Sequence, residues 1–141
     1  MKTSFNAFEG KIKFLSVIDI EKYEFCVPCT YQTDGENAVL NFIEPKGENE
    51  FATRTRILIT PSSIRIIRTG DTNTDFEFFK DSKEDIILKI ATVSGVLCFS
   101  ARPKTVEFSA EQTGCRALIC YSLYSEDDKI SENTIEFEVK Q

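Results

Sequence analysis

The chain has 141 residues, 41% of them apolar and 28% charged, the make-up of one water-soluble globular domain able to bury a core without disulfides or a structural metal. It contains no His and no Trp, so Ser-His-Asp and Cys-His catalysis and His-ligated zinc or haem cannot come from its own residues. The 17 Lys and Arg against 23 Asp and Glu give a net charge of −6, which disfavours phosphate backbones and makes nucleic acid an unexpected partner.

Alternation with a period of two runs through almost the whole sequence, and long stretches with a 3.6-residue period are missing. In chain order the pattern predicts strands over 10–20, 23–33, 38–44, 53–60, 63–69, 73–80, 85–93, 95–101, 104–109, 115–125 and 130–139. Polar turn segments separate them, among them Asp34-Gly35-Glu36-Asn37, Pro45-Lys46-Gly47-Glu48-Asn49, Thr60-Pro61-Ser62, Gly70-Asp71, Arg102-Pro103 and Ser125-Glu126-Asp127-Asp128. No composition shift, repeat or linker divides the chain, so a single domain over 1–141 is expected, with residues 1–9 as a flexible N-terminus. The start lacks the apolar run of a secretory signal, and no stretch is long enough to span a bilayer. A cytoplasmic protein with its five cysteines as thiols is the expectation, with no membrane partner.

So many strands in a small domain require a closed barrel or a sandwich, because an open sheet leaves edges ready to aggregate. The fold class is read as all-β: one closed antiparallel barrel of about 8–10 strands in meander order.

Arg68 shares a strand face with Ile64 and Ile66, which puts it in an apolar interior or at the barrel rim. A guanidinium there needs an Asp or Glu partner, the more frequent case, or an anionic ligand. Tyr121 falls in phase with Ala117, Ile119 and Leu123, and Tyr31 with Phe25 and Val27, so both rings point inward. They either help line an apolar pocket with a few polar groups or pack in a core with their hydroxyls on backbone acceptors. Arg54 and Arg56 share the opposite face from Thr55, Ile57 and Ile59, as paired cations for an acidic group or as a solvated outer face balanced by acids such as Glu77. Arg68, Tyr31, Tyr121, Arg54 and Arg56 are thus the candidate ligand-binding residues.

Cys26-Val27-Pro28-Cys29 has the spacing of redox and zinc sites, but its flanks read as strand, where residues three apart face opposite ways unless Pro28 introduces a bulge. Cys115 and Cys120 read as small buried fillers on opposite faces. Glu84-Asp85 and Glu126-Asp127-Asp128 sit at turns, Glu136 and Glu138 cover an outer face, and the six glycines form no phosphate loop. No catalytic residue, metal site or cofactor is predicted.

Ile64-Arg65-Ile66-Ile67-Arg68-Thr69-Gly70 followed by Thr74-Asp75-Phe76-Glu77-Phe78 resembles the central hairpin of the YwiB-like bacterial proteins, small calycin-like barrels of undetermined function. Thr92-Val93-Ser94-Gly95-Val96-Leu97 resembles that family's Thr-x-aromatic-Gly-Thr-Leu turn, Tyr121-Ser122-Leu123-Tyr124 its Tyr-x-Leu strand, and Ile135-Glu136-Phe137-Glu138-Val139 its closing strand. Ser94 stands where the family has an aromatic ring and Cys29 where it has a Gly before Tyr31, so a pocket at these positions would differ in shape. The resemblance implies a calycin-like, lipocalin-like barrel, a fold class whose better-known members hold small ligands, without naming a ligand.

The expected function is a non-enzymatic cytoplasmic binder of a small amphipathic or anionic ligand, within or at the mouth of the barrel. The alternative is a solid barrel acting through its outer surface on a protein partner or a second copy of itself. A hydrolase or isomerase using carboxylates with Arg68 ranks last and would need two acids converging near that residue.

Overall fold

A computed structural model describes residues 5–45, 52–70 and 73–141. The predicted turn residues Lys46 to Asn49, and Asp71, lie outside these. Ten strands follow one another: β1 (Asn6–Ile18), β2 (Glu21–Thr33), β3 (Ala38–Glu44), β4 (Thr53–Ile59), β5 (Ser63–Thr69), β6 (Asn73–Phe79), β7 (Ile86–Thr92), β8 (Gly95–Glu111), β9 (Gly114–Ser125) and β10 (Asp128–Lys140). Each pairs antiparallel with the next, and β1 pairs with β10, so the meander closes into the expected barrel. Closure removes the free sheet edges that an open arrangement of these apolar strands would expose.

Two predicted boundaries move. β1 begins at Asn6, and Asn6–Glu9 pair with Thr30–Thr33, so this part of the expected N-terminal tail is strand. The segments over 95–101 and 104–109 form one strand, β8, because the register shift between Pro103 and Thr105 absorbs the proline. The residue left out of the ladder is Lys104, next to Pro103, and this bulge lets the strand run on past the proline.

Alternation sorts the side chains. Leu40, Ile57, Ile59, Ile64, Ile66, Phe78, Ile119, Phe137 and Val139 fill the interior, and their burial, at about 1.5–3 kcal/mol for each large apolar side chain, drives folding. We refer to the barrel end with the β1–β2, β7–β8 and β9–β10 turns as the upper end. Inward polar residues gather there: Glu44, Thr53, Thr55, Thr74, Ser131 and Asn133 are buried, and Arg68 is half-buried. The middle of the interior is thus apolar; the lower end holds the buried Thr33 and the Tyr31 hydroxyl, and the larger polar cluster lies at the upper mouth. Among the described residues, no helix is long and apolar enough to cross a membrane.

Candidate functional site

The upper cluster begins with strand register. Arg68 on β5 is the cross-strand partner of Thr55 on β4 and of Thr74 on β6, so all three side chains share the interior face. Phase with Leu40 and Phe42 turns Glu44 inward at the end of β3. Arg68 Nε donates to Glu44 Oε2 and Nη2 to Oε1, both at 2.8 Å, and the Thr55 hydroxyl donates to Oε2. This planar two-bond geometry is the strong form of a carboxylate–guanidinium pair. The Glu44 side chain is 3% exposed and that of Arg68 33%, so the carboxylate is sealed while the guanidinium reaches the mouth.

Three donors remain unspent. Arg68 Nη1 has no partner among the described residues. The Thr74 hydroxyl is buried without a hydrogen bond, in a residue only 8% exposed; an unsatisfied buried hydroxyl costs about 1–3 kcal/mol. Tyr121 packs its ring 5.2 Å from Phe78 and 6.4 Å from Phe76, and its hydroxyl bonds no described residue. Burial pushes the Tyr121 phenol up to about 12, against the opposing pull of Arg68 nearby, so it remains a neutral donor at physiological pH. The neighbouring Ser131 and Asn133 satisfy each other at 3.0 Å. Beside Glu44 on the same face, Phe42 leads to the stacked pair Phe14 and Phe25, whose centroids are 5.0 Å apart.

Of the predicted site residues, the structure brings Arg68 and Tyr121 together. Tyr31 is at the opposite end: it is fully buried, and its hydroxyl donates to the carbonyls of Glu111 at 2.6 Å and Gly114 at 2.9 Å. Burial raises that phenol to about 12 as well. Arg54 and Arg56 lie exposed on the outside of β4, apart from the Arg68 cluster, and the nearby Asp75 is taken by Arg65 at 2.6 Å. Two concavities, of about 920 and 520 Å³, lie on the outer face and the lower end, and neither is lined by Arg68, Tyr31 or Tyr121. The residues that sequence reasoning missed are Glu44, Thr55 and Thr74. Phase with Phe42 and with Phe76 carries the signal for Glu44 and Thr74.

A family model described as "Domain of unknown function (DUF1934)" matches residues 10–137. The chain belongs to the DUF1934 family. Comparison with curated proteins returns no match. Among solved structures, the YwiB protein from Bacillus subtilis is similar in fold, with a TM-score of 0.74 at 14% identity over 96% of this chain and 92% of that one. The YwiB-like resemblance read from the strand motifs is thereby borne out.

In this DUF1934 barrel the Cys26–Cys29 spacing does not make a site. Pro28 pairs with Lys11 without any shift of register, so Cys26 is exposed outside while Cys29 is buried inside. No group of metal-binding side chains gathers among the described residues. Cys115 is buried as expected, whereas Cys120, on the opposite face, is half-buried, and Cys26 and Cys98 are exposed. Burial raises the Cys29 thiol to about 11 and the Cys115 thiol to about 12. Thiol titration of the native protein near pH 8 is therefore expected to label Cys26 and Cys98 quickly and to reach Cys29 and Cys115 only on unfolding. Equal native rates at all five would contradict this packing.

Proposed function

We propose that this DUF1934 protein is a non-enzymatic cytoplasmic binder that takes a small amphipathic anion at the upper mouth of its barrel. The observation that carries this reading is the buried, unpartnered Thr74 hydroxyl beside Arg68. With Glu44 saturated by Thr55 and Arg68, the unspent groups Arg68 Nη1, Thr74 Oγ1 and Tyr121 Oη are all donors, which fits an acceptor-rich head such as a carboxylate or phosphate. The half-buried Phe14 and Phe25 offer an apolar wall for a tail. Because Phe and Ile side chains fill the lower interior, the ligand sits at the mouth and does not pass down the lumen. The five free cysteines accord with a reducing compartment. Among the described residues no second carboxylate pairs with Arg68 beside Glu44, so the reading assigns the cluster to binding.

Octanoate, a carboxylate with a short tail, is a suitable probe. In a nitrogen-15 NMR titration it is expected to shift the Arg68 Nε signal and the Thr74 amide saturably, and acetate to do so more weakly. No saturable shift with octanoate or with inorganic phosphate at millimolar concentration would overturn the proposal.

A further inference from the structure

The outer face of the β2–β1–β10–β9–β8 sheet carries a groove of about 920 Å³. The strand register writes its floor. Along one cross-strand row stand Glu24, Leu15, Glu136, Leu118 and Glu107, one residue per strand, so acids and leucines alternate. With neighbouring strands about 4.8 Å apart, like residues recur about every 9.6 Å and the row spans about 19 Å. Leu15 and Leu118 are half-buried, and Glu24, Glu136 and Glu107 are exposed and form no ion pair among the described residues. The adjacent row holds Lys13 and Arg116 on either side of Glu138, which Lys140 engages at 3.1 Å.

We propose that this groove docks an amphipathic helix of a partner protein, laid across the strands with a line of cations facing the acids. A helix rises about 1.5 Å per residue, so side chains seven apart recur every 10.5 Å or so, close to two strand spacings. Lysines or arginines at that interval would meet Glu24, Glu136 and Glu107, and apolar residues three or four positions between them would meet Leu15 and Leu118, all on one helical stripe. Three cations seven apart take about 15 residues, a helix of about 21 Å that covers the row. A row of unpaired carboxylates interrupted by leucines rejects an acidic or purely apolar helix, because either leaves the carboxylates without a counter-charge. The chain's net charge of −6 steers a cationic segment towards the surface. Lys13 and Arg116 flank the row and would favour acidic side chains on the edge of the same helix, fixing its direction. The row shares no residue with the Arg68–Thr74–Tyr121 cluster at the barrel mouth.

The test uses the intact protein and a synthetic helical peptide of about 15 residues, with lysines seven apart and leucines between them, measured by fluorescence anisotropy against a scrambled peptide of the same composition. Saturable binding of the patterned peptide alone is expected. Glu136→Lys, on the exposed face of β10, should weaken it by about tenfold or more, whereas Glu36→Lys, an equal charge change in the exposed β2–β3 turn at the far end of β2 from Glu24, should alter it by about twofold or less. No binding, equal binding of the scrambled peptide, or equal losses in the two variants would each overturn the proposal.

Discussion

Arg68→Met is expected to destabilise the protein by about 3–5 kcal/mol, the usual loss when one partner of a buried ion pair is removed. The magnitude follows from which partner is left behind. Glu44 is almost fully buried, and both carboxylate oxygens accept from Arg68. In the variant only the Thr55 hydroxyl remains against it, too little to replace the hydration the carboxylate gave up on folding. Adding Glu44→Gln to the same chain should recover much of the loss, because the residue left behind is then neutral and Thr55 can still reach it. Urea melts of the two single variants and the double variant form a cycle. Additive losses would show that the pair is not coupled as its geometry requires.

Gly114→Ala is expected to cost roughly 2–5 kcal/mol, combining backbone strain with a clash that cannot relax cheaply. Gly114 opens β9 with φ of +151°, and an added Cβ would lie 2.0 Å from the Val139 carbonyl oxygen of β10. That atom is backbone, so relief means spreading the β9–β10 ladder where it meets Lys140. The Gly114 carbonyl also accepts from the buried Tyr31 hydroxyl, so the strain reaches the core. Gly95 provides the contrast: its φ of +127° is also unfavourable for Ala, but a Cβ there meets nothing within 4 Å. Gly95→Ala should cost only about 1 kcal/mol. Thermal melts showing equal losses at the two glycines would mean that the contact with Val139 is unimportant.

Much of the barrel is legible in the sequence because alternation is a local property. Phase with Ile64 and Ile66 turns Arg68 inward, and phase with Ala117 and Ile119 does the same for Tyr121, as the structure has them. The strand through Pro28 is legible too, but only its pairing with β1 decides against a bulge at the proline and sets Cys26 and Cys29 on opposite faces. What periodicity does not contain is register between strands. That Glu44 meets Arg68 depends on β3 pairing with β4, and β4 with β5, across the whole sheet. No pattern within β3 announces a partner 24 positions away. Pro103 misled for a related reason: a proline inside a β pattern reads as a break, and only the pairing with β9 shows that a bulge carries the strand through it. Phase with Phe25 and Val27 turns Tyr31 inward, as the structure has it, but the acceptors for its hydroxyl come from the β8–β9 turn, some 80 residues on.

The mouth site makes a demand that ordinary packing does not. If Thr74 retains its unpaired hydroxyl for a ligand, Thr74→Val should improve the empty protein and impair the loaded one. Valine fills nearly the same space and removes the unsatisfied group, so the melting temperature without ligand should rise, by the equivalent of about 1 kcal/mol. The further rise that octanoate gives the parent protein should shrink, since a head group loses one of its three donors. Paired thermal melts of parent and Thr74→Val, with and without octanoate, read both effects at once. A more stable empty variant with a smaller octanoate shift is the predicted result; a less stable empty variant whose octanoate shift equals that of the parent would contradict it.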